Sequence, residues 1–156
     1  MSINKIVIIV GIIFTIFITF ILIQFNPLGR SVSKNASTQS ISIKDQTFTI
    51  TIVKTEAERQ KGLSGRASLP LDEGMLFLFD KPDSYAIWMK NMKFPIDIIF
   101  IRDDKIVTIT ENAKPATTGE PPIYQPSQPS DKILEINAGL SKKNNFKPGD
   151  TVKISL

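Results

Sequence analysis

The seven residues P-I-D-I-I-F-I at positions 95–101 restrict the fold more than any other stretch of this chain. Read as a strand, Ile96, Ile98 and Phe100 face one way and Asp97, Ile99 and Ile101 the other, because side chains alternate along extended backbone. Both faces are apolar apart from Asp97, the pattern of a strand covered on both sides. A carboxylate in such a strand needs a cation, hydrogen-bond donors or water, since burying it unpaired is costly. Residues 85–101 also hold the only Trp, Trp88, and two of the four Met.

The 156 residues leave room for one domain and an appendage. Residues 6–25 carry no charge and consist almost wholly of Ile, Val, Phe and Leu. Such a run rises about 30 Å as a helix, enough to cross a bilayer. Residues 1–26 are therefore expected to form a single N-terminal transmembrane anchor. A cleaved signal peptide is the rival reading, with Lys5 as its positive start. Against it, the apolar run exceeds a usual signal core and the exit Q-F-N-P offers no small-x-small site. Lys5 before the run and Arg30 and Lys34 after it leave the positive-inside rule undecided. The Ser/Thr-rich segment 27–39 reads as a flexible linker, and an anchor followed by such a spacer is expected to export residues 40–156. The expected location is the cell membrane, crossed once, with the folded domain extracytoplasmic.

The formal charge of +4 is misleading as a guide to partners. Lys5, Arg30 and Lys34 precede residue 40, where no acid lies, so the folded domain is close to neutral. Nucleic acid, which calls for a clustered basic face, is not an expected partner. The chain has no His and no Cys. That removes Ser-His-Asp and Cys-His catalysis and the usual zinc ligands, and no phosphate-binding glycine loop is present. No cofactor or metal is expected, and catalysis, if any, would rest on carboxylates, Lys, Arg or Tyr.

Within the domain, residues 47–52 alternate strictly, with Phe48, Ile50 and Ile52 predicted inward. Thr55 followed by Glu58 makes a capping box opening a short helix that Gly62 or Gly65 ends. If the helix continued, Arg59, Gly62, Leu63 and Arg66 would share one face. Strands are predicted at 75–79, 96–101, 106–110, 133–137 and 151–156, with a turn at 80–84. A long Pro-rich loop spans 112–131, of a kind that is uncommon in compact domains unless functional or disordered. The fold class is α+β and β-rich, a barrel-like or sandwich domain of about seven strands with one or two short helices.

These segments resemble, in order, the bacterial and archaeal family known as domain of unknown function 192. The resemblance rests on Glu58-Arg59, Gly62-Leu63 and Arg66; on G-M-L-F at 74–77 with Phe79; on W-M-K-N at 88–91; on P-I-D-I-I-F-I; on L-E-I at 134–136 with Gly139; and on Gly149-Asp150. Ser64 and Met92 depart from it, standing where the family tends to have Met and a small hydroxyl residue. The resemblance implies a compact β-rich domain behind a signal or anchor, and it implies no activity.

The candidate polar cluster is Arg59, Arg66, Asp72, Lys90, Asn91, Asp97 and Glu135, with Trp88 as packing or a stacking platform. Arg59 and Arg66 call for an anion, either Asp97 or Glu135 as a structural partner or a bound carboxylate or phosphate. Three functions remain open. The first is a binding module for a small anionic or polyhydroxy ligand or a cell-envelope partner, using Arg59, Arg66, Trp88, Lys90, Asn91, Asp97 and Glu135. The second is a hydrolase of envelope polymers pairing Asp97 with Glu135 or Asp72. The third is an interaction module whose Pro-rich loop is docked by a partner.

Overall fold

The computed structural model describes residues 39–156. The anchor expected at 6–25, and all but the last residue of the linker, lie outside the described residues. Among the described residues no helix is long and apolar enough to cross a membrane.

Among the described residues, nine strands and two short helices follow one another as β1 (Ser40–Ile43), β2 (Gln46–Val53), α1 (Glu56–Lys61), β3 (Glu73–Asp83), β4 (Ile87–Trp88), β5 (Ile96–Arg102), β6 (Lys105–Ala113), β7 (Ile123–Tyr124), β8 (Ser130–Asn137), α2 (Leu140–Lys143) and β9 (Val152–Ser155). Seven strands form one sheet in the order β6-β5-β8-β3-β2-β1-β9, and β4 with β7 forms a separate two-stranded ribbon. All neighbours run antiparallel except β2 and β3, which are parallel and linked through α1. The edge strands approach each other at one end. There Val152 N–H donates to the Asp104 carbonyl at 2.8 Å and Ile106 N–H to the Asp150 carbonyl at 3.0 Å. The sheet is thus curled into a half-barrel.

The two faces of the sheet follow from the alternation. Phe48, Ile50, Ile99, Ile101, Leu134 and Ile136 meet Ile106 from one edge and Val152 from the other in one cluster, which marks the inside of the curl. The opposite face carries Met75, Phe77, Ile98, Phe100 and Ile133, covered by Leu63, Leu69, Ile87 and Met89. Every residue of 96–101 is buried, as a strand covered on both sides requires.

The Thr55 capping box forms. The Thr55 hydroxyl accepts from Glu58 N–H at 3.3 Å, while the Glu58 carboxylate accepts from the backbone N–H groups of Thr55 and Lys54. These bonds, Thr55's first, hold the Glu58 carboxyl below its ordinary value. The helix stops at Gly62, whose φ of 45° suits glycine and whose absent Cβ would lie 3.3 Å from the Phe77 ring. Because α1 ends at Lys61, Arg59 and Arg66 do not share a helical face. The turn expected at 80–84 is instead the exposed end of β3, beyond a register shift after Leu78; Pro82 is tolerated there because no regular ladder asks for its N–H. The loop at 112–131 is docked on its own domain: β7 pairs with β4, and Ser127 bonds the Thr108 hydroxyl through its N–H at 2.9 Å.

Candidate functional site

Asp97 is fully buried, and its partners are backbone amides rather than arginine. One carboxylate oxygen accepts from Asn112 N–H at 2.8 Å and Gly139 N–H at 3.0 Å, the other from Ser141 N–H at 2.8 Å. Asn112 lies opposite the register shift between Ile96 and Ile98, so Asp97 satisfies a donor that the irregular ladder frees. Gly139 and Ser141 belong to the start of α2, whose first N–H groups have no partner within the helix. Asp97 is a structural clasp between β5, β6 and α2.

Glu135 has the opposite character. Register pairs Asp97 with Ile136 and Ile98 with Glu135, so neighbouring side chains across β5 and β8 place the two carboxyls on opposite faces of the sheet. The acid–base pair of Asp97 with Glu135 therefore does not exist. Glu135 points to the outer face, is 4 % exposed, and has no hydrogen-bond or ion-pair partner among the described residues. Burial alone pushes its carboxyl up to about 8, which keeps it neutral below that pH.

Over Glu135 opens a cleft of about 800 Å³, within the range typical of small-molecule sites. Its walls come from α1 and the segment behind it (Leu63, Ser64), from β3 (Phe77, Phe79) and from residues 85–92. Two backbone clamps hold the first and last of these together. The Ser64 hydroxyl donates to the Lys90 carbonyl at 2.8 Å, and Gly65 N–H donates to the Asn91 carbonyl at 2.9 Å. Asn91 has φ of 56°, a left-handed turn conformation that Asn tolerates better than most residues. Of the W-M-K-N motif only Trp88 belongs to the ribbon; Met89 N–H donates to the Pro122 carbonyl at 3.0 Å, and Lys90 and Asn91 form a tight turn.

Aromatic rings dominate the mouth. Phe79 and Tyr85 stack with centroids 3.7 Å apart, and the Arg59 guanidinium lies 4.9 Å from the Phe79 centroid. Arg59 also donates to the Leu78 carbonyl at 3.0 Å and pairs with Glu56 at 3.3 Å. Hydrogen bonds from Gln60 and Arg59 hold the Glu56 carboxyl below its ordinary value. Trp88 is 45 % exposed at the rim, with the Lys90 ammonium 5.0 Å from its ring centroid, and Ile123 beside it on the ribbon is 64 % exposed.

Of the residues singled out in the sequence, Arg59, Trp88 and Glu135 line this cleft, and Lys90 reaches it only across the Trp88 ring. Asn91 contributes its main chain. Arg66 is exposed and lines a neighbouring shallow depression with Lys61 and Gly65. Asp72 is exposed in the turn before β3 and lines neither hollow, so it does not pair with Glu135. Among the described residues no three acidic side chains converge as a metal site.

Residues 38–154 match the DUF192 family, described as uncharacterized ACR. The chain belongs to this family. A crystal structure of a protein of unknown function from Novosphingobium aromaticivorans is 35% identical, with a TM-score of 0.67, over 74% of this chain and 82% of that one. A second, described as a putative transcription regulator from Sinorhizobium meliloti, is 32% identical, with a TM-score of 0.66, over 74% of this chain and 91% of that one. No curated protein matches the chain.

Several residues that line the cleft of this DUF192 domain were not among the candidate site residues read from the sequence. Leu63, Phe77, Phe79, Tyr85, Met89 and Met92 all line the cleft. The signal was present as a concentration of aromatic and Met residues around residues 77–92. It reads equally as core, and only the turn at Lys90-Asn91 bends it into a wall.

Proposed function

We propose that this DUF192 domain is a binding module for a small molecule with an apolar body, tethered at the outer face of the membrane by residues 6–25. The observation that carries the reading is Glu135, a carboxyl without a protein partner on the floor of a cleft whose buried walls are apolar and whose mouth carries aromatic rings and charged side chains. A buried polar group left without a partner is a stability cost, and such groups concentrate where a site needs them. The apolar lining favours an apolar ligand body over a polyhydroxy one, because a sugar would need several convergent polar groups. Catalysis is disfavoured, since Asp97 is sealed by three backbone donors, Asp72 lines neither hollow, and the other carboxylates of the cleft, Glu56 and Asp80, are exposed at its mouth with Glu56 paired to Arg59. Transcription regulation, the description of the Sinorhizobium relative, is not carried over, because acids and bases nearly balance over residues 40–156.

The experiment is thermal unfolding of the full chain with a panel of small apolar-bodied compounds, read through Trp88, whose indole stands at the cleft mouth. A compound present at about 100-fold its Kd adds about 2.7 kcal/mol to the folded state. Ala86 is exposed and lines the cleft, so Ala86→Trp fills the space without entering the core. Stabilisation of the wild type that Ala86→Trp abolishes supports the reading; a panel without effect, or with equal effect on both, rejects it. For the location, protease added to intact spheroplasts cuts the domain if it is outside and spares it until lysis if it is inside.

A further inference from the structure

We propose that the cleft is a receptor for small organic ammonium ions, primary or secondary amines whose charged nitrogen pairs with Glu135 while the aliphatic or aromatic body fills the apolar walls. This rests on the reading of the cleft as a ligand site and names the class of ligand.

The floor offers one polar group and lacks its counter-ion. Across the ladder, the positions beside Glu135 are Met75 on β3 and Ile98 on β5, neither of which can donate a hydrogen bond. The other titratable groups lining the cleft are Glu56, Arg59, Lys61, Asp80, Lys81 and Tyr85, all exposed or half-buried at the mouth. Asp97 faces the other side of the sheet. An ammonium supplies both the charge and the donors that Glu135 is missing, and a charge-assisted hydrogen bond is stronger than a neutral one.

The walls point the same way. The faces of aromatic rings attract cations, and Phe79 and Trp88 each already hold one, Arg59 and Lys90. Phe77 and Tyr85, with the polarizable sulfurs of Met89 and Met92, complete a lining suited to a cation bearing an apolar body. An anionic ligand fits poorly. The Arg59 guanidinium is engaged by Glu56, the Leu78 carbonyl and the Lys54 carbonyl, and the other cations lining the cleft, Lys61 and Lys81, are exposed at its mouth and not at the floor.

The proton balance is explicit. In the empty cleft Glu135 holds its proton up to about pH 8, whereas a free alkylamine is already an ammonium at neutral pH. Pairing therefore expels the Glu135 proton to solvent and forms a carboxylate–ammonium pair with no covalent change.

The test is calorimetry on the full chain at neutral pH with hexylamine, hexanol and hexanoate, which share one alkyl body, in two buffers of different ionisation heat. The expected result is hexylamine binding at least about tenfold more tightly than hexanol, with close to one proton released, and loss of that preference in Glu135→Gln while hexanol binding persists. Equal or tighter binding of hexanol or hexanoate overturns the ammonium class but leaves the cleft as a ligand site. A hexylamine preference that Glu135→Gln leaves intact also overturns it; should that variant fold poorly, the wild-type ranking of the three compounds decides alone. Silence from all three compounds rejects the class and the ligand site together.

Discussion

Replacing Asp97 by Asn tests whether the central strand is held by backbone donors in the way the geometry requires. In the wild type one oxygen accepts from Asn112 and Gly139 at 2.8 and 3.0 Å, and the other from Ser141 at 2.8 Å. Asn keeps one acceptor and turns the other into an NH₂ group facing an N–H donor. In either orientation at least one buried donor loses its partner, and the bonds that remain lose their charge. An orphaned buried donor costs about 1–3 kcal/mol, and the lost charge assistance adds about 1 kcal/mol more, so Asp97→Asn should destabilise by roughly 2–4 kcal/mol. Asp97→Ala, which strands all three donors, should cost more. The assay is urea unfolding of the full chain followed by Trp88 fluorescence, where a lower midpoint with an unchanged slope reads as lost stability. Arg66→Ala is the control, expected within about 0.5 kcal/mol of wild type because Arg66 is exposed. An Asp97→Asn variant as stable as the control would refute the clasp, and with it the assignment of Asp97 to folding rather than to a site.

Two further outcomes follow from the neighbourhood of Glu135. A Cβ at Gly74 would stand 3.0 Å from the Leu134 Cδ1 and 3.1 Å from the Glu135 carbonyl, so Gly74→Ala requires β8 to give by a few tenths of an ångström and should cost about 1–3 kcal/mol in the same urea assay. Glu135 has a carboxyl raised in the folded state from 4.5 to about 8, so the folded chain binds the extra proton in that window and stability falls as pH rises through it. The loss should reach a few kcal/mol, and Glu135→Gln should flatten that part of the pH profile.

Much of the fold was legible because it depends on local pattern. The alternation at 47–52, the Thr55–Glu58 capping box and the double-sided burial of 96–101 all depend on residues a few positions apart, and the structure has each of them. The site was less legible, for two physical reasons. First, the partners of Asp97 are backbone N–H groups 15, 42 and 44 residues away, and a main-chain donor leaves no mark on the side-chain pattern. A buried acid therefore suggested arginine, and Arg59 found Glu56 and the Phe79 ring instead. Second, Asp97 and Glu135 each interrupt an apolar strand in the same way, and only the β5–β8 register decides that they face apart. A shift of one residue would have put them together.

The central claim is that Glu135 is kept for a ligand and not for folding, and Glu135→Met tests it most directly. Met is close in volume, apolar, and relieved of the desolvation that the carboxyl suffers. At neutral pH the account predicts a gain of roughly 1–3 kcal/mol in the unfolding free energy of the full chain, together with loss of hexylamine binding. A loss of stability in Glu135→Met would contradict it, because it would mean that the carboxyl contributes to the fold and that the cleft above it is part of the packing.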